Sequence, residues 1–275
     1  MNIKEYLSRR KKLIDNALLS YVPRGQKYTK ELSEAVKYSL MSGGKRIRPI
    51  LTLAACEAVS GSYRKAMPAA AAIEMIHTYT LIHDDLPAMD DDDFRRGKPT
   101  CHRVFGEDVA ILAGDLLNTL AFQIIADNYG DKTSKIVREL AFSLGINGVV
   151  GGQLADLKSS GRRIDRNELE FISSHKTACL FIASARIGAI IGGASGPQLG
   201  KMTQYAANLG LAFQIIDDIL DHKEKVKNSY PAILGMEKSR IESQKKLKAA
   251  LNALPKEKGY YILARIAQFL AKRRS

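Results

Sequence analysis

Apolar positions along this chain recur at three- and four-residue intervals almost from end to end. Ile3, Tyr6, Leu7, Leu13, Ile14, Ala17 and Leu18 would line one face of a helix. The same period predicts helices over 31–42, 48–60, 67–83, 108–127, 134–150, 167–192, 199–221 and 238–253. Short breakers stand between them, among them Ser42-Gly43-Gly44, Ser60-Gly61-Ser62, Gly97-Lys98-Pro99 and Ser195-Gly196-Pro197. No stretch alternates apolar and polar residues well enough to predict a strand. The expectation is therefore an all-α chain. The segments 67–83 and 176–194 are Ala-rich and apolar on most sides, which is the pattern of helices at the centre of a bundle. Leu120-Ala-Phe-Gln-Ile-Ile125 recurs as Leu211-Ala-Phe-Gln-Ile-Ile216, a single match that reads as similar helix packing and not as a repeat array.

No Pro-rich, Ser-rich or low-complexity linker divides the 275 residues, so a single domain over 1–275 is expected. The formal charge of +13 calls for an anionic partner of some kind. Nucleic acid would require basic residues interleaved with exposed aromatics or a recognisable module, and neither is present. Phosphorylated small molecules fit better, with the remaining excess on solvated surface. The three cysteines, Cys56, Cys101 and Cys179, are scattered without metal-ligand spacing, which suits a reducing, cytoplasmic location. Lys4 to Lys12 carry too much charge for a signal peptide, and Arg186 with several glycines interrupts the apolar run Leu180–Ala194. No membrane span is predicted.

Two acidic clusters carry the chemistry. Leu81-Ile-His-Asp84-Asp85-Leu-Pro-Ala-Met-Asp90-Asp91-Asp92-Asp93 puts six carboxylates at the end of an apolar helix. Phe213-Gln214-Ile-Ile-Asp217-Asp218-Ile-Leu-Asp221 puts three on an otherwise buried helix, with Asp217 and Asp221 one turn apart. Like charges so close are costly unless a cation neutralises them. A calcium loop would need Gly at its sixth position and Glu at its twelfth, and both are missing. Magnesium takes one or two carboxylates, several waters and phosphate oxygens, so two acidic walls suggest ions held around a diphosphate. Cations stand nearby in sequence at Lys45, Arg46, Arg48, Arg95 and Arg96.

Six segments resemble the trans-prenyltransferases, most of all the bacterial farnesyl diphosphate synthases: Gly43-Gly-Lys-Arg-Ile-Arg-Pro49, Leu81 to Asp90, Arg95-Arg-Gly-Lys-Pro-Thr100, Gly151-Gly-Gln-Leu-Ala-Asp156, His175-Lys-Thr177 and Phe213 to Asp221. They keep the family's order and span about residues 30–235. The resemblance implies an isoprenoid-synthase helical bundle around a central apolar cavity. It implies that Asp84, Asp85, Asp90, Asp156, Asp217, Asp218 and Asp221 bind magnesium, directly or through water. It implies that Arg95, Lys176 and Lys227 grip the diphosphate of dimethylallyl or geranyl diphosphate, and that Lys45, Arg48, His77 and Arg96 hold isopentenyl diphosphate. Thr177 and Gln214 would line the path of the reacting carbon. Tyr79, five residues before Asp84, would floor the cavity and stop the product at farnesyl diphosphate. A homodimer is also implied. One departure stands out: Asp221 reaches Lys227-Asn-Ser-Tyr-Pro231 in six residues, where the family carries a longer segment with a Gly-Lys.

That inventory suits one reaction. Breaking the allylic carbon–oxygen bond leaves a carbocation and a diphosphate, and cations stabilise the charge that develops on the leaving group. Isopentenyl diphosphate attacks through its double bond, and the departing diphosphate takes the proton. The pocket must be dry, because water would quench the cation. A terpene cyclase would not need Lys45, Arg48 and Arg96, and a silent regulatory subunit would not keep both acidic clusters.

Overall fold

The computed structural model, described here for residues 2–221 and 228–272, is helical apart from one minimal hairpin. Its backbone divides into two compact units, one formed by residues 1–50 and 66–134, the other by 51–65 and 135–275.

The first unit contains α1 (Ile3–Tyr21), α2 (Lys30–Leu40), the start of α3 (Ile47–Ser60), α4 (Met67–Asp84), β1 (Phe94–Arg95), β2 (Lys98–Pro99), α5 (Cys101–Phe105) and α6 (Glu107–Tyr129). Its core is the pairing of α4 with α6. Ala69 to Ile73 of α4 and Ala113, Gly114, Leu117 and Ala121 of α6 are buried, and small residues on both helices allow close approach. Gly114 shows how close: a Cβ there would fall 2.2 Å from the His83 ring. Tyr129 Oη accepts a bond from Ala69 N and so satisfies one of the first-turn donors of α4.

The second unit contains α7 (Thr133–Leu144, from Lys135 on), α8 (Val149–Ser159), α9 (Arg166–Ile172), a π-helical turn (Ser173–Ala178), α10 (Cys179–Gly192), α11 (Gly196–Leu220), α12 (Tyr230–Leu234), α13 (Met236–Ala253) and α14 (Tyr261–Ala271). The 25-residue α11 is its axis, packed by α10 and α13. Ser195 and Gln198 start α11 with a reciprocal capping box, and Pro197 sits in its first turn.

The all-α expectation holds, with three adjustments. The helix predicted over 134–150 breaks at Gly145–Gly148, so the Gly151–Asp156 motif lies on its own helix, α8. The hairpin at 94–99 was not predicted. One run, Glu107–Ser159, is long and apolar enough to cross a membrane by length and composition, contrary to the expectation from sequence. That run is interrupted between α6, α7 and α8, and its α6 part supplies the core partner of α4.

Candidate active site

Each acidic cluster lies at the C-terminal end of a helix. Asp84 ends α4 and Asp85 caps it, with Asp85 N donating to Leu81 O at 3.1 Å. The chain then folds back on that end: Asp90 N reaches Asp84 O at 2.9 Å and Asp92 N reaches Asp85 O at 3.2 Å. Asp217 and Asp218 occupy the last turn of α11 and Asp221 caps it, with no basic residue in that turn. A helix C-terminus carries a partial negative charge that favours cations and disfavours carboxylates. Two helices that end in clustered carboxylates are therefore poised for an external cation. Among the described residues no three His, Cys, Asp or Glu side chains converge into a ready-made cage. An ion held there would draw its remaining ligands from water and substrate oxygens, as magnesium commonly does.

Not every predicted metal ligand is open. Asp85 is buried, and its Oδ1 accepts from Arg95 Nε at 2.5 Å, while Arg95 Nη2 donates to Asp92 at 3.0 Å. Burial raises the Asp85 carboxyl to about 6, although Arg95 pulls the other way. Asp218 uses both oxygens. Gln214 Nε2 donates to Oδ1 at 2.7 Å and Tyr230 N donates to Oδ2 at 2.9 Å. It too is raised to about 6, mainly by burial and further by the charges of Asp217 and Asp221. In this arrangement Asp218 orients Gln214, whose Oε1 accepts from the Thr177 hydroxyl at 2.7 Å. The two residues assigned to the path of the reacting carbon are thus joined into one chain ending on a carboxylate.

Lys176 and Thr177 stand on the π-helical turn. Such turns displace side chains from the ordinary helical register and recur at functional sites. Lys176 Nζ donates to Asp156 Oδ2 of α8 at 2.6 Å, so a predicted phosphate-binding lysine and a predicted metal ligand hold each other. Their approach depends on Gly152, one turn before Asp156. A Cβ at Gly152 would fall 2.3 Å from Lys176 N. Gln153, next on α8, is buried, and neither atom of its amide has a partner among the described residues.

The cationic group lies in the first unit. Arg96 and Gly97 link β1 to β2, both with positive φ (55° and 76°), the sign pattern of a type I′ hairpin turn. An arginine at such a position carries strain that only Gly, Asn or Asp escapes cheaply. In return the turn lays the Arg96 guanidinium over Gly44, where a Cβ would come within 2.6 Å of it, and Nη1 donates to Gly43 O. Arg48 Nη1 donates to His77 Nε2 at 3.3 Å. Burial, and the charges of Arg48, Arg96, Arg46 and Arg95, hold His77 well below its usual range. It is therefore neutral and can accept that bond. Lys45 is exposed beside them. Tyr79 is half-buried and meets the His83 ring edge-on at 5.7 Å. Lys227 lies outside the described residues.

Sequence reasoning missed Glu74, a buried carboxylate one turn before His77, and it left Arg46 without a role. In the first unit a helix ends in carboxylates beside a turn crowded with arginines, and in the second another helix ends in carboxylates; on an all-α scaffold these features fit the isoprenoid synthase class. The chain belongs to the polyprenyl synthetase family, whose model matches residues 29–260. It is 43% identical to the dimethylallyltranstransferase of Fischerella ambigua over 99% of this chain and 84% of that protein. It is 46% identical to the heterodimeric geranylgeranyl pyrophosphate synthase large subunit 1 of Arabidopsis thaliana, over 87% of this chain and 70% of that one. Among solved structures, an FPP/GFPP synthase from Zymomonas mobilis superposes with a TM-score of 0.92 at 34% identity, covering 98% and 99% of the two chains.

Proposed function

We propose that this protein is a short-chain trans-prenyl diphosphate synthase that joins isopentenyl diphosphate to dimethylallyl and then geranyl diphosphate, releasing farnesyl diphosphate. The observation that carries the reading is the pair of helices ending in carboxylates where the helix dipole calls for cations. Asp84, Asp90, Asp217 and Asp221 would hold magnesium with the allylic diphosphate, and magnesium would supply the charge that draws the leaving group away. Asp85, Arg95, Asp156 and Lys176 enter as two carboxylate–cation pairs, each able to reorganise around diphosphate and metal. The neutral His77, with Arg48, Arg96 and Lys45, suits a diphosphate that binds without metal. The Thr177–Gln214 pair would present polar oxygens along the path of the carbocation, with Asp218 at the end of the chain held by Gln214 Nε2 and Tyr230 N.

Farnesyl as product rests on Tyr79, roughly 7.5 Å before Asp84 along α4 at ~1.5 Å per residue. Relatives whose names specify geranylgeranyl products are equally similar, so product length is the point to measure. The protein is mixed with magnesium, isopentenyl diphosphate and dimethylallyl diphosphate, and the dephosphorylated products are sized by chromatography. Fifteen-carbon farnesol supports the reading, and a twenty-carbon product replaces its last step. No condensation at any magnesium concentration removes it altogether.

The homodimer remains part of this proposal. Phe142, Ile146, Val150 and Leu154 are 66%, 82%, 57% and 56% exposed. They lie on α7, on the break between α7 and α8, and on α8, an exposed apolar patch suited to a second copy.

A further inference from the structure

Arg46 lies between Lys45 and Arg48 in sequence, yet its side chain is 1% exposed and cannot touch a substrate. Its backbone is left-handed, with φ of 52°, where a side chain is disfavoured. Its carbonyl accepts the bond from Ile50 N that opens α3, at 3.0 Å. The guanidinium spends three nitrogens on three other helices. Nε donates to Asp15 of α1 at 2.8 Å, Nη1 to Glu74 of α4 at 2.6 Å, and Nη2 to Leu40 O, an otherwise orphaned carbonyl at the end of α2. Lys11 closes the cluster from α1 with a 2.8 Å bond to Asp15.

The charges settle what Arg46 does not do. Asp15 and Glu74 neutralise Arg46 and Lys11, so the cluster offers no net attraction for phosphate. The geometry shows what it does instead. Glu74 and His77 are three residues apart on one face of α4, and they receive Arg46 and Arg48 respectively. The opening of α3 is therefore fastened to α4 at two points one turn apart, the first buried and fully ionic, the second beside the substrate-facing cations.

We propose that Arg46 is a positioning residue for the isopentenyl diphosphate site, and that Asp15 and Glu74 set its orientation. α1 thereby governs affinity for that substrate without contacting it. The proposal rests on the reading of Lys45, Arg48, His77 and Arg96 as that site. Steady-state kinetics of the full chain test it, with each substrate varied at saturation of the other, for Arg46→Lys, Asp15→Asn, Arg48→Ala and the Arg46→Lys/Arg48→Ala pair. Arg46→Lys keeps the charge and loses the fork. It should raise KM for isopentenyl diphosphate on the order of tenfold and KM for dimethylallyl diphosphate less than about twofold. Because Arg46 acts through Arg48, the double variant should be no more than about twofold worse than Arg48→Ala. Equal rises in both KM values, a loss confined to kcat, or multiplying effects would overturn the proposal. Should Arg46→Lys not fold, Asp15→Asn decides: a rise of roughly threefold for isopentenyl diphosphate alone supports it, and no rise refutes it. If Arg48→Ala leaves KM for isopentenyl diphosphate unchanged, the reading of the site fails as well. If Arg48→Ala raises it and Arg46→Lys does not, only the positioning role falls.

Discussion

Replacing Gly152 with alanine asks how much of the activity depends on α8 lying hard against the π-helical turn. The added Cβ would stand 2.3 Å from Lys176 N and 2.8 Å from both His175 C and Lys176 Cα. These are backbone atoms of a packed turn, so no flexible side chain can swing aside. Ordinary contact begins near 3.4 Å, and relief requires the two elements to part by about 1 Å. Overpacking of this kind costs about 1–3 kcal/mol of stability. The chemical cost is larger. Asp156 lies one turn along the same face, and a 1 Å separation would stretch its 2.6 Å bond to Lys176 beyond hydrogen-bonding range. Lys176 and Thr177 would shift together, and displacements of about 1 Å at reacting groups can lower turnover on the order of 100-fold. The assay is turnover at saturating substrates alongside thermal denaturation, with Gly200→Ala as control. Gly200 lies in α11 with nothing within 4 Å of a Cβ, so alanine there should be neutral or stabilising by up to about 1 kcal/mol. Wild-type turnover and an unshifted Tm in Gly152→Ala would refute the close-packing argument.

Three further outcomes are expected. The Asp218 carboxyl is raised to about 6 in the folded protein against 3.8 unfolded, so the folded state binds its proton more tightly. Its destabilising charge is present above pH 6 and is relieved as pH falls from 6 towards 3.8, a contribution of at most ~3 kcal/mol. In metal-free buffer the Tm of the wild type should therefore fall less on acidification from pH 7 to 5 than that of Asp218→Asn; parallel curves would contradict this. Tyr79→Ala should yield products longer than the wild type's, and an unchanged product length on chromatography would move the chain-length control elsewhere. Ile146→Glu in the break between α7 and α8, or Leu154→Glu on α8, should convert a dimer to monomers in sedimentation; a dimer that survives both charges sits on another surface.

The long elements were legible because their apolar period is strong. α4, α6 and α11 appear within a few residues of the expected bounds, and the carboxylates of α4 and α11 sit at the helix ends where the sequence put them; the helix expected over 167–192 is instead divided into α9, the π-helical turn and α10. The short pieces were not. α5 and α12 are five residues each, too brief for a 3.6-residue period to register, and α12 is set instead by Ser229 capping Ala232 N and by Pro231 in its first turn. The hairpin at 94–99 has two-residue strands, below any alternation test. α14, absent from the expected helices, nevertheless carries a regular pattern in Ile262, Leu263, Ile266, Ala267 and Leu270. Residue types at the site were also legible, while their pairing was not. Arg95 with Asp85, Lys176 with Asp156 and Arg46 with Glu74 are separated by 10, 20 and 28 residues, and only tertiary packing decides which cation meets which carboxylate.

The π-helical turn at Ser173–Ala178 makes the segment from α9 to α10 tolerant in one way and brittle in another. One residue advances a helix by about 100°, so the wide turn absorbs a single-residue offset that a continuous helix would spread along its whole length. Substitutions within α9 or α10 can repack each helix separately, since the offset uncouples their registers. Loss of any one residue between 173 and 178 would be different. The turn would tighten to ordinary pitch while the flanks kept their registers, and Lys176 and Thr177 would lose the offset that presents them. The locus that presents Lys176 and Thr177 is thus open to drift in composition and closed to change in length.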